Sequence, residues 1–164
     1  MDQRGIRLRP DEEQALVSEL AELAIDGVAP EELPVFEETA AEYFKDPSVT
    51  LAAGGRDEAV GFGVEFALLT PYVLAVVTPV VRSLASLLEE ELREQVRPSV
   101  AALVRRVFRR SGSAGRMEGE PALTPTQAGE VWSVAKARAG ELGLDADRAE
   151  LLADAIVGRL LVRA

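Results

Sequence analysis

From Val60 to Val81 the chain reads VGFGVEFALLTPYVLAVVTPVV, with Glu65 as its single charge, and Phe66–Val81 carries none. A helix that is apolar on every side must be covered by a core or by a membrane, so whatever covers this stretch decides the fold. Beyond Arg82 the pattern becomes amphipathic. Leu84, Leu88, Leu92, Val96, Val100, Leu103, Val104, Val107 and Phe108 recur at helical intervals with charges between them. The spacing predicts one long helical region over 57–110, opened by Asp57 as a cap. Kinks or breaks are expected at Pro71, Pro79 and Pro98, because each proline lacks the N–H of an intrahelical bond. A buried strand within 72–81 is the competing reading, since Val73, Val76, Val77, Val80 and Val81 favour sheets. No second apolar run is available to pair with it.

The flanks supply the covering elements. On the N-terminal side, Pro10 with Asp11, Glu12 and Glu13 predicts a helix from about Asp11 to Ile25, closed at Gly27, that buries Leu16, Leu20, Leu23 and Ala24. A second helix, Pro30–Lys45, carries Leu33, Phe36, Ala40, Tyr43 and Phe44 on one side and stops at Asp46-Pro47. Ile6 and Leu8 are expected beneath this acidic hairpin, residues 1–45, and 46–56 reads as a linker. On the C-terminal side, 111–123 (SGSAGRMEGEPAL) reads as a flexible connection. Thr124-Pro125-Thr126-Gln127 is a capping box that starts a helix to about Leu142, burying Ala128, Val131, Trp132, Ala135 and Ala139. Gly143 ends it, and Asp145 caps a last helix with Ala149, Leu152, Ile156 and Leu160 inward. The expected fold is therefore all-α: a single domain in which two helical hairpins, 1–45 and 124–164, pack around a long, kinked, apolar central helix.

Composition narrows the chemistry. The 164 residues include neither cysteine nor histidine, which removes thiolate nucleophiles, disulfides, the usual zinc ligands and imidazole acid–base catalysis. The net charge of −10 disfavours nucleic acid. That charge is unevenly placed. Residues 1–58 hold 15 acidic and 5 basic side chains, and 59–110 hold 5 and 7. Lysine occurs only at 45 and 136 among 18 basic residues, the codon signature of a GC-rich bacterial genome. The N-terminus MDQRGIRLRP runs into an acidic helix with no apolar segment of signal-peptide type, so the expected compartment is the cytoplasm.

Several partial motifs fail on inspection. Gly61-Phe62-Gly63 begins like a dinucleotide fingerprint, but Phe66 stands where the third glycine belongs and no strand precedes it. Gly54-Gly55-Arg56 could offer free amides to an anion but reads better as linker. Asp145, Asp147 and Glu150 resemble the start of a calcium loop, yet Ala149 and Glu150 occupy its fifth and sixth positions. Glu37, Glu38 and Glu42 form a solvated helix face. No nucleophile elbow is present. Neither a metal, a cofactor, a catalytic residue nor a small-molecule substrate is expected.

Two features stand out as candidates. Glu65 is the lone carboxylate in the apolar stretch, and burying it alone costs several kcal/mol unless it is paired, wet or neutral. It is either a functional buried carboxylate or, as the structural reading, a paired residue near a helix start. Arg93, Arg97, Arg105, Arg106, Arg109 and Arg110, with Arg116 beyond them, form a basic cluster opposed only by Glu94. Such a cluster suits an acidic partner, anionic lipid, or this chain's own acidic first hairpin. As a structural reading, arginines in a helix's last turns suit its dipole. The sequence thus supports a non-enzymatic helical protein–protein interaction module, an adaptor or regulatory component that binds a protein partner or itself. The alternative is a membrane-engaging protein that inserts 60–81 and keeps its arginines at the interface. A 22-residue helix would rise about 33 Å, enough for the hydrocarbon layer.

Overall fold

The computed structural model describes residues 8–56, 68–92, 100–108 and 122–162, and within them the fold is all-α. Pro10 occupies the first turn of α1 (Pro10–Val28), where its missing N–H leaves no bond unmade, and Asp11, Glu12 and Glu13 sit at the positive end of the helix dipole. The Glu12 carboxylate also accepts the backbone N–H of Arg9 at 3.2 Å. Leu16, Leu20 and Ala24 are fully buried as the spacing required, and Leu23 is partly buried beside them.

The single helix expected over Pro30–Lys45 is divided in two. A 3₁₀ segment, Pro30–Val35, precedes α2 (Phe36–Lys45). Pro34 is the cause, because a proline there cannot donate an intrahelical bond and its ring crowds the preceding turn. The linker expected at 46–56 is instead helix α3 (Pro47–Arg56). Asp46-Pro47 does end α2, but the same dipeptide starts the next helix. The Asp46 carboxylate accepts the Val49 N–H at 3.2 Å and the Ser48 hydroxyl at 2.7 Å, and Pro47 takes the first helical position. α2 lies mainly against α3 and α4, with only a slight contact to α1, while the 3₁₀ segment before it packs on α1.

The apolar stretch forms α4 (Thr70–Leu92), and the valine-rich part is helix, not strand. Strand propensity is about 1 kcal/mol at most and yields where the segment has no strand to pair with. Pro71 lies in the first turn, and Pro79 lies inside the helix, which continues past it. α5 (Val100–Val107) packs against α4, so it folds back onto that helix and does not extend it. The helical region expected over 57–110, with kinks or breaks at its prolines, therefore holds at least two helices, α4 and α5, on either side of residues 93–99, which lie outside the described residues.

α4 also packs against α1, α2, α3 and α6. Its side chains Val73, Leu74, Val76, Val77, Val80, Val81 and Leu84 are 0% exposed. α6 (Pro125–Glu141) and α7 (Ala146–Val157) form a close hairpin, and α7 also touches α1. The capping box is present, with Thr124 Oγ1 accepting the Gln127 N–H at 3.2 Å and Gln127 Oε1 accepting the Thr124 N–H at 2.9 Å. Gly143 has a φ of +91°, a left-handed conformation that favours glycine where the helix must stop. After α7, Leu161 donates to the Val107 carbonyl at 2.7 Å and accepts from the Leu123 N–H at 2.9 Å. The C-terminal segment thereby ties the end of α5 to the start of the second hairpin.

Candidate interaction surface

Three arginine–carboxylate pairs lie along the outside of α1. Arg82 of α4 reaches Glu13 at 2.9 Å, Arg105 of α5 reaches Glu19 at 3.0 Å, and Arg159, beyond α7, reaches Asp26 at 2.9 Å. Three elements distant in sequence thus converge on one acidic helix. Glu13 holds the Arg82 guanidinium above its ordinary pKa through their hydrogen bonds, an effect that partial burial opposes. These pairs lie in water, so each is worth about 0–1 kcal/mol, and they set position more than stability.

Of the basic cluster read from the sequence, Arg105 is engaged with Glu19 and Arg106 is exposed on the same short helix. Arg93, Arg97, Arg109 and Arg110 lie outside the described residues, as does Glu65. Arg82 and Arg159 escaped sequence reasoning because they stand alone, outside any cluster. The usable signal was that Arg82 is the first charge after the apolar run, where a core helix reaches the surface.

The buried carboxylate that the structure does describe is Glu32, 8% exposed. Its two oxygens accept the Leu69 N–H at 2.7 Å, the Thr70 N–H at 2.9 Å and the Thr70 hydroxyl at 2.6 Å. It therefore caps α4 from 38 residues away. The first amides of a helix lack internal partners, and a carboxylate there gains both hydrogen bonds and the favourable dipole. Thr70-Pro71 signals a helix start, but nothing in the sequence names the residue that would fold over it.

A second surface group lies on the α6–α7 hairpin. Trp132 Nε1 donates to Asp154 at 2.8 Å, Lys136 Nζ stands 4.8 Å from the indole centroid, and Lys136 pairs with Glu150 at 2.7 Å. Trp132, expected as core, is only partly buried because its N–H needs this polar partner. Asp145, first of the calcium-like triplet, accepts the Arg148 N–H at 2.9 Å as a helix cap. Gly54 and Gly55 lie inside α3, Glu37, Glu38 and Glu42 are exposed, and no metal-binding carboxylate group occurs among the described residues. In the core, Tyr43 has its phenol pKa raised by burial, against smaller opposing effects of the Thr78 hydroxyl, Arg138 and Arg82.

No family model, curated protein or solved structure matches this chain. One described helix, over Thr70–Glu89, is long and apolar enough to cross a membrane. More than half of that span, 56%, is buried by the rest of the fold.

Proposed function

We propose that the chain is a non-enzymatic helical protein–protein interaction module, an adaptor or regulatory component of the cytoplasm. The observation that carries this reading is the covering of α4. Its apolar side chains from Val73 to Leu88 pack against the chain's own helices, which leaves the charged helical faces of the described residues to meet a partner. Arg105 and Arg106 on α5, beside the acidic edge of α1, offer one such face to a protein partner or a second copy. The membrane-engaging reading rests on a different observation, the spanning length and apolarity of Thr70–Glu89.

Detergent-free protein examined by sedimentation velocity, and by co-sedimentation with phosphatidylglycerol vesicles, separates the two. The module should stay in the supernatant with α4 as protected from hydrogen exchange as before. Pelleting with the vesicles, together with loss of the α4–α1 contact, would replace this reading with the membrane one.

A further inference from the structure

We infer that the face formed by α4, α5 and the segment after α7 is a receptor groove for an acidic amphipathic helix, with α1 as its resident occupant. This rests on the interaction-module reading and names the partner's chemistry. α1 packs more on α4, α7 and α5 together than on the 3₁₀ segment and α2 that follow it in sequence. It is seated as a docked helix would be. Its buried side, Leu16, Val17, Leu20, Ala21, Ala24 and Ile25, fills the seam, which is how a helix-in-groove ligand presents its anchors.

The flanking charges add a register. Glu19 and Asp26 are seven residues apart, which places them on one edge of the helix two turns from each other. Each meets an arginine from a different element, Arg105 and Arg159, and Glu13 meets Arg82 in the first turn. A helix shifted by one turn would lose all three pairs together. The Arg82 and Arg105 side chains are accessible to a competitor, 65% and 40% exposed, while Arg159 is more enclosed at 23%. Solvated pairs of this kind select a partner and guide its approach more than they add affinity. The groove therefore specifies apolar anchors at helical spacing with carboxylates at the positions of Glu13, Glu19 and Asp26. A partner helix that meets this pattern competes with α1. Because α1 is tethered, it competes at an effective concentration of about millimolar, which keeps the groove closed to weak ligands.

The test uses the full chain and a fluorescent peptide of residues 8–29. Wild-type protein should bind the peptide weakly, since its own α1 holds the groove. The variant Glu13→Gln, Glu19→Gln, Asp26→Asn loosens the tethered helix and should bind the wild-type peptide at least about tenfold more tightly. Adding Arg105→Glu should cancel that gain, and a peptide carrying Glu19→Arg should restore it. If the loosened protein, folded by circular dichroism, binds no better than wild type, or if the charge swap gives no rescue, the groove assignment is wrong. Hydrogen exchange of the wild-type protein provides a second criterion that needs no variant. α1 amides must open without α6 and α7, and exchange only through global unfolding overturns the proposal. Failure of these tests with a stable protein partner still captured by crosslinking would remove the groove and leave the module reading standing.

Discussion

Replacing Glu32 by alanine should cost about 3 kcal/mol, the largest effect expected from any single carboxylate described here. The estimate follows from what the carboxylate holds: two N–H groups and one hydroxyl, two of these three donors on Thr70, which is 0% exposed. An orphaned buried donor costs about 1–3 kcal/mol, and a lost helix cap about 0.5–2 kcal/mol. The terms overlap because the Thr70 N–H counts in both, and Leu69 is partly exposed, so water can recover some of its bond. Glu32→Gln should cost roughly half as much, since the amide keeps one acceptor oxygen but turns an NH₂ toward donors. Thr70→Val should cost about 1 kcal/mol for the hydroxyl bond alone. Urea denaturation followed at 222 nm gives each value. For a chain of this size 3 kcal/mol corresponds to a melting shift of roughly 6–12 °C. If Glu32→Ala changes stability by less than about 0.5 kcal/mol, or if the Glu32→Ala and Thr70→Val effects simply add, the cap is not what positions α4.

Leu74→Arg places an unpaired charge at a 0% exposed position beside Val73 and Val77, and should cost more than about 4 kcal/mol or abolish soluble expression. A well-folded Leu74→Arg protein that has lost vesicle binding shown by its parent would favour the membrane reading. Arg105→Ala breaks a half-exposed pair with Glu19 and should cost at most about 1 kcal/mol, less at high salt, by urea titration at two ionic strengths. Burial raises the Tyr43 phenol above its ordinary value of 10.0, so the unfolded chain loses this proton first. Stability from this group is complete below that pH and falls as the pH rises from there toward the folded value. Tyr43→Phe should accordingly flatten the alkaline loss of stability, and an unchanged slope would refute the assignment to this residue.

The helices with their own chemical boundaries were legible in the sequence. Thr124, Gln127, Gly143 and Asp145 act through partners three or four residues away, so the second hairpin appeared where the capping pattern placed it. α1 was legible for the same reason, from Pro10 and its three acids. The buried stripes followed from period alone, because Leu16, Leu20, Ala149, Leu152 and Ile156 repeat at the helical interval. Residues 46–56 are helix despite Gly54-Gly55 because Asp46 and Pro47 supply a cap and a first turn, and Pro34 divides Pro30–Lys45 by removing an intrahelical donor.

Tertiary structure decided the rest, and the reason is distance along the chain. Glu32 reaches Thr70 across 38 residues, and Arg105 and Arg159 reach Glu19 and Asp26 across 86 and 133. A hydrogen bond or ion pair between such residues leaves no periodicity and no local spacing to read. The sequence alone determined that the apolar stretch needs a cover, because a helix without a polar face cannot meet water. Which surfaces supply the cover, and that α5 folds back onto α4, depended on long-range packing that only the folded chain brings together.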